Sequence, residues 1–349
     1  MLDQQLVRAP EFPEGVRWLN SKPLALRQYR GKCVLVDFWE YTCVNCVHTL
    51  PYMVEWDRKY RDHGLATIGV HAPEFQFARE ARQVERAMEE FGIAYPVALD
   101  NDYEIWQAFS NQGWPSKFLI DSKGYIRYQH MGEGEYLATE LAIQGVLHEA
   151  DPAFRPQPLT IPMRDEDRPG AMCYRPSPEL YCGTERGNIG NEEGFADEAI
   201  AIYIDRGVHE PNKFYLQGAW RARGEYLELA GTHGHITLHY RAKDVNLVLS
   251  PTGDPVELML GLQGAQLIGA ANADAARPRI TVTQDGAALP DTNAGADVRT
   301  VDGVATVTPL RPRMARLVSN PTFEEHELRV DVYGRGAALY AFTFTTCVA

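Results

Sequence analysis

Two cysteines three positions apart, Cys43 and Cys46, are the residues whose type and spacing most directly carry chemistry in this chain. A Cys-x-x-Cys pair can open and close a disulfide, or it can supply half of a four-ligand zinc site. The zinc reading calls for a second pair or a histidine cluster nearby, and the sequence puts none there. Redox chemistry fits the setting better, because the apolar run CVLVDFW (Cys33 to Trp39) precedes the pair and helix-compatible sequence from Cys43 to Tyr60 follows it. At such a strand-to-helix junction the first sulfur meets the unpaired N–H groups of the helix start, which favour thiolate over thiol. Cys43 is therefore read as the nucleophile. Cys46, one turn on, is read as the resolving thiol, kept protonated by burial until a mixed disulfide forms. Asp37 is the candidate base for that step, since a carboxylate inside VLVDFW needs some reason to be there.

The elements that must hold this pair alternate in type. After the first strand and helix come LATIGVHA (Leu65 to Ala72, strand), FAREARQVERAMEEFG (Phe77 to Gly92, amphipathic helix closed by glycine) and YPVALD (Tyr95 to Asp100, strand). A short helix at Tyr103 to Phe109, the hairpin KFLID/YIRYQHMG and a helix from Glu135 to His148 complete an α/β unit. Seven prolines then fall between Asp151 and Pro178. Farther on, KFYLQGAW, EYLELAG, HITLHYRA, VNLVLS, VELMLGL, RITVTQ, ATVTPL, HELRVDVY and ALYAFTFTT recur between turn signals, which reads as an antiparallel sandwich. The expected domains are 1–151 (α/β), 152–178 (Pro-rich linker) and 179–349 (β-sandwich).

Length and composition agree with two soluble domains: 349 residues, 45% hydrophobic and 23% charged. The net charge of −13 is shared, −6 in residues 1–150 and −7 in the remainder, so neither half offers a basic footprint for nucleic acid or anionic membrane. No apolar run approaches the roughly 18 to 20 residues of a spanning helix, and MLDQQLVRAPEF has no basic segment followed by an apolar one. The expectation is a cytoplasmic protein without membrane insertion.

VDFWEYTCVNC resembles the active site of the thioredoxin fold, with Asp37, Trp39 and the cysteines at that family's spacing and Pro51 where its helix kinks. More narrowly, FPEGVRWLN, LVDFWEYTCVNCVHTLPY, GVHAPEF and WPSKFLID resemble the TlpA-like redoxins of the DipZ-like group, and the similar modules that precede NHL repeats. The resemblance implies a thiol–disulfide oxidoreductase with no cofactor beyond its redox-active disulfide, acting on protein thiols and disulfides and fed by an unidentified electron donor. It makes Pro115, after Trp114, the cis-proline beside the cysteines. It also draws in Glu74 as a proton relay and His48 as a thiolate tuner, although a loop cap and an exposed helical histidine are the plainer readings. Trp39 is a packing residue, and the Val44-Asn45 dipeptide does not by itself fix a potential. A peroxidase of the same superfamily would need a Pro-x-x-x-Thr-x-x-Cys loop, whereas here Thr42 directly precedes Cys43. DipZ-like relatives work outside the cytoplasmic membrane, so an extracytoplasmic site is the alternative to the cytoplasm.

The C-terminal half, through SPELYCG with Arg186, FYLQGAW and HELRVDVYGRGAALYAFTF, resembles the jelly-roll, carbohydrate-binding-module-like domain that follows the redoxin in DipZ-like proteins. Glycan binding, with Trp220 and Tyr240 as aromatic platforms, is one use; protein docking or a homodimer interface is another. A binding module with a structural Cys-x-x-Cys is the alternative to an enzyme. His233, His235 and His239 fall on one face of a continuous strand and form a candidate metal cluster, with a solvated histidine-rich edge as the plainer reading. Cys173 and Cys182 could form a local disulfide, and Cys33 and Cys347 read as small buried hydrophobes.

Overall fold

A strand that is apolar at every position must be covered on both faces. Cys33–Trp39 is buried along its whole length in the middle of a seven-stranded sheet. The computed structural model describes residues 7–196, 198–252, 259 and 278–348. The chain divides into two compact units, 1–167 and 168–349.

The first unit runs β1 (Val7–Arg8), β2 (Arg17–Leu19), β3 (Cys33–Trp39), α1 (Val44–Tyr60), β4 (Leu65–His71), α2 (Ala81–Phe91), β5 (Val97–Leu99), α3 (Glu104–Ala108), β6 (Ser116–Ile120), β7 (Tyr125–Met131) and α4 (Tyr136–Ala150). Its sheet order is β1-β7-β6-β3-β4-β5-β2, with β3, β4 and β5 parallel, β6 antiparallel to β3 and β7 antiparallel to β6. This is the thioredoxin-like arrangement. Alternation along β3 separates two cores: Val34, Val36 and Phe38 face one, while Cys33, Leu35 and Trp39 face the other with Cys46, Leu50 and Trp56 of α1. By the same parity Asp37, Lys117 of β6 and His71 of β4 belong to the face on which α1 packs. Gly69 belongs there too, and a Cβ at that position would stand 3.0 Å from Trp39 Nε1 and 3.1 Å from Val97 Cγ2, so a larger residue would crowd the indole.

The expected boundaries shift where backbone chemistry intervenes. Extended Glu80 separates a 3₁₀ turn at Gln76–Arg79 from α2, so the single helix expected from Phe77 becomes two pieces. Gly92, at φ 70°, ends α2 as its sequence position suggests. The Pro-rich stretch also divides. Phe154 enters the first unit's core, Lys59 Nζ donates to Pro158 O at 2.7 Å, and the Tyr52 hydroxyl donates to Asp167 Oδ2 at 2.8 Å. Residues 152–167 thus pack as a strap on the first unit, because prolines lack a donor but keep a carbonyl that side chains can reach.

The second unit is a β-sandwich. Its strands are β8 (Met172–Cys173), β9 (Leu180–Tyr181), β10 (Ile200–Tyr203), β11 (Phe214–Ala222), β12 (Leu227–Leu229), β13 (His233–Pro251), β14 (Arg279–Gln284), β15 (Ala287–Ala288), β16 (Arg299–Val301), β17 (Val304–Val307), β18 (Arg313–Tyr333), β19 (Ala337–Thr345) and β20 (Cys347–Val348). Two strands expected separately, HITLHYRA and VNLVLS, form one long β13, which pairs with β18 along its length. Register shifts at Ala242/Asp244 and Val245/Asn246 break that ladder midway, and β13 trades β11 for β19 as its other neighbour across the break. The two halves can therefore serve both layers around one core. The strand expected from VELMLGL (256–262) lies outside the described residues, apart from Met259. Among the described residues no helix is long and apolar enough to cross a membrane.

Candidate redox site

Cys43 is the N-cap of α1, with extended φ/ψ, and its sulfur accepts the Cys46 N–H at 3.3 Å. The two sulfurs stand 2.7 Å apart as free thiols. Cys43 is partly exposed, whereas Cys46 is fully buried between α1 and the sheet. Dense surroundings push the Cys43 thiol up despite the helix start, against the thiolate expected there; the hydrogen bonds from Cys46 pull the other way and Glu40 and Glu74 add to the rise. Burial drives Cys46 well above the ordinary range, with Cys43 and Asp37 adding to it. Cys43 is the less shifted of the two and the one that can meet a substrate.

Asp37 is fully buried and neither of its oxygens has a hydrogen-bond partner. Burial raises its carboxyl to about 7, and Lys117 moderates the rise. Lys117 is its register partner on β6, also fully buried, with an unpartnered Nζ; burial lowers its pKa and Asp37 opposes that. The pair is a carboxyl and an amine, each shifted by burial toward its uncharged form, on the face of the sheet that carries Cys46. Lys117 escaped the sequence reading, although a lysine in the strand WPSKFLID, at the parity of Leu119, was a signal as plain as the aspartate in VLVDFW.

Two more groups were missed. Glu40, just after β3, is fully buried; its Oε2 accepts from Thr42 N at 2.7 Å and from the Thr42 hydroxyl at 2.5 Å. Burial raises it to about 8, the Thr42 hydroxyl opposing and Glu74 adding. His71, at the end of β4, has no hydrogen-bond partner on either ring nitrogen and is pushed by burial to about 3.

The remaining candidates divide. The Trp114–Pro115 peptide is cis, Pro115 is buried, and Trp114 packs on the same core as Cys43 and Cys46. Trp39 lies in that core, edge-on to His71 at 5.1 Å between ring centres. Val44 is buried and Asn45 partly so. Glu74 acts on Cys43 and Glu40 through its charge. His48 instead turns to Glu133, Nδ1 to Oε1 at 3.1 Å, and Arg164 of the strap holds the same carboxylate.

The second unit corrects several expectations. His233 bonds Asp331 at 2.9 Å and His235 bonds Asp205 at 3.3 Å, so each ring has its own carboxylate rather than a shared centre, and the described residues hold no cluster fit for a metal ion. His239 belongs to no such cluster either. Trp220 and Tyr240 cannot be sugar platforms: both are core, and their polar atoms bond Gln217 and Gln284. Cys173 is bridged to Cys347, not to Cys182, because β8 and β20 pair with those residues directly opposite. Cys347 is therefore no free buried thiol, whereas Cys182 points into the sandwich core and Cys33 into the first unit's.

Residues 8–140 match the family model described as Redoxin, and residues 177–345 the one described as Thioredoxin like C-terminal domain. Protein DipZ of Mycobacterium tuberculosis is 37% identical over 249 residues, which cover 70% of this chain and 35% of that protein. NHL repeat-containing protein 2 of Homo sapiens is 32% identical over 148 residues, 40% of this chain and 20% of that one. The thiol-disulfide oxidoreductase ResA of Bacillus anthracis is 31% identical over 144 residues, covering 41% of this chain and 77% of ResA. The chain thus spans about a third of the length of the DipZ proteins it matches.

Proposed function

The chain belongs to the redoxin family, in its DipZ-like group, and on that footing we propose that it is a thiol–disulfide oxidoreductase that reduces protein disulfides through Cys43 and Cys46. The observation that carries the reading is the sulfur pair itself: two thiols in contact at a helix N-cap, one reachable and one sealed, above a buried carboxyl with no partner.

The Cys43 thiolate attacks one sulfur of a substrate disulfide; that S–S bond breaks and the other substrate sulfur leaves as thiolate. Cys46, its proton passing toward Asp37, then attacks Cys43 Sγ and expels the second substrate sulfur. The substrate gains two electrons and two protons, and the protein is left with a Cys43–Cys46 disulfide that a separate donor of two electrons must reopen. Asp37 suits the proton step because a carboxyl near 7 can both take and return a proton at neutral pH. Trp114, which packs on the same core as the cysteines, and the cis-linked Pro115 after it are the residues against which an extended substrate segment would lie.

The compartment is part of the same proposal. The Cys173–Cys347 bridge supports an oxidising location over the cytoplasm that the sequence suggested, because exposed structural disulfides persist where thiols are not kept reduced.

Titration against thiol buffers, with alkylation and mass mapping, tests the function. A reversible Cys43–Cys46 disulfide with a midpoint near about −270 mV, and insulin reduction that Cys43→Ser abolishes with the fold intact, are expected. A midpoint above about −180 mV would instead mark an oxidant or isomerase, and no reversible disulfide would end the redox reading.

A further inference from the structure

Glu40 sits in the turn that hands the chain from β3 to the reactive cysteine, and its contacts are divided in an unusual way. One carboxylate oxygen, Oε2, holds both the N–H and the hydroxyl of Thr42, while the Glu40 carbonyl accepts the Cys43 N–H at 3.3 Å. Those bonds fix the turn. The other oxygen, Oε1, is buried without a hydrogen-bond partner, 3.8 Å from His71 Nε2, and that imidazole has none on either nitrogen. The ring packs edge-on to Trp39 and face to face with Tyr41 at 5.6 Å, which holds its Nε2 edge toward Glu40. A turn needs one acceptor, which a serine or asparagine would supply without desolvating a second oxygen at a penalty of about 1–3 kcal/mol. The spare oxygen calls for another use.

We infer that Glu40 is a positioning residue that governs how readily Cys43 ionises, serving the outer sulfur as Asp37 serves the inner one. The inference rests on the redox reading for its meaning, though not for its electrostatics. The groups facing this corner are His71 from β4, Glu74 from the loop after it, Cys43 and Cys46 from α1, and, under Cys46, Asp37 from β3 with Lys117 from β6. With His71 neutral and Glu74 of like charge, the corner tolerates one negative charge more easily than two. A protonated Glu40 leaves that charge to Cys43; an ionised Glu40 opposes it. The two groups therefore titrate as a coupled pair, and each proton goes to solvent.

The test is the rate of Cys43 carboxamidomethylation by iodoacetamide in the reduced full-length protein from pH 5 to 10, mapped by mass. Wild type is expected to show two inflections. Glu40→Gln, which keeps an acceptor for Thr42 but cannot ionise, should show one, at lower pH, with thiolate at a given pH raised by up to about tenfold, the equivalent of one pKa unit. Glu40→Asp should restore the second inflection, which a merely structural role would not. Superimposable Gln and wild-type profiles overturn the inference. If Glu40→Gln does not fold, carboxyl-carbon NMR of wild type decides: titration of Glu40 in the neutral-to-alkaline range that moves when Cys43 is oxidised supports it, and titration below pH 6 overturns it. A wild type that forms the reversible disulfide while the Gln profile is unchanged sinks this inference alone. A Gln-sensitive Cys43 without a reversible disulfide sinks the redox reading and leaves the coupling standing.

Discussion

Buried ionisable groups beside the cysteines and those of the second unit are handled in opposite ways. In the first, Asp37, Lys117, the spare oxygen of Glu40 and both nitrogens of His71 are sealed from water without hydrogen-bond partners, all on the face where α1 brings the cysteines. In the second, His209 lies between Asp205 at 2.8 Å and Glu327 at 2.7 Å, Asp331 takes Arg329 and His233, and Asp297 takes Arg313 and Arg316. The titration behaviour follows. Burial pushes Asp205 and Asp331 up, but their hydrogen bonds outweigh it and both finish lowered; His209, pushed down by burial, finishes raised by Glu327 and Asp205. Pairing there fixes the charges. Around the cysteines nothing offsets desolvation fully, so the groups drift toward neutrality and a proton can move at little cost. Unpaired groups are expensive to keep, and their concentration beside one dithiol is what separates a reactive site from a scaffold.

The sulfurs make the same contrast, and removing them should give the largest effect. The Cys173–Cys347 bridge closes a separation of 174 residues, for which chain entropy predicts stabilisation of up to about 5 kcal/mol. Cys347→Ser should lower the urea midpoint of the second unit's unfolding and leave the Cys43–Cys46 midpoint potential where it was. An unchanged urea midpoint would mean the bridge is no staple. Next in size, and opposite in sign, is Asp37→Asn. Asp37's folded pKa lies above its ordinary 3.8, so the stability it contributes is complete below about 4 and is lost as pH rises through about 7. The Asn variant should match wild type near pH 4 and exceed it by on the order of 2–4 kcal/mol above pH 8, while resolving mixed disulfides at least about tenfold more slowly. Equal stability at all pH values would show that Asp37 has found a partner. In the second unit His209→Ala should destabilise by about 2 kcal/mol at pH 6, because it removes the ring that bridges Asp205 and Glu327 by two charge-assisted hydrogen bonds; a neutral result would erase the distinction.

Much of this was legible in the sequence because it follows short-range rules. The apolar run of β3, the glycine that ends α2 and the cysteines at a strand-to-helix junction all declare themselves locally, and the α/β unit followed by a β-sandwich emerged from them. The failures are long-range. Cys173 meets Cys347 only because strands at opposite ends of the second unit pair, which no spacing announces. The continuity of β13 through a bulged ladder, and the first half of β18, depend on partners far away in the chain. Lys117, Glu40 and His71 are an intermediate case: each is a charged or polar residue inside an apolar stretch, the signal that singles out Asp37, and strand parity turns Lys117 and His71 toward the same face as Cys46, whereas Glu40 lies past the end of β3 and is placed by the turn.

His48 provides the smallest effect and the finest test of where the reactive site ends. It stands only two residues beyond Cys46, yet its ring points to Glu133, which Arg164 of the strap already holds, and its side chain and that of Glu133 keep about a quarter of their surface in water. Such a pair is worth about 0–1 kcal/mol and does not need a charged imidazole. His48→Gln, which can keep the hydrogen bond, should therefore change stability by less than about 0.5 kcal/mol and leave the pH profile of Cys43 alkylation where wild type puts it. A displacement of that profile by half a pH unit or more would move His48 out of the paired, structural class and place it with Asp37 and Glu40, so that the boundary between the two kinds of burial would run through α1 rather than beneath it.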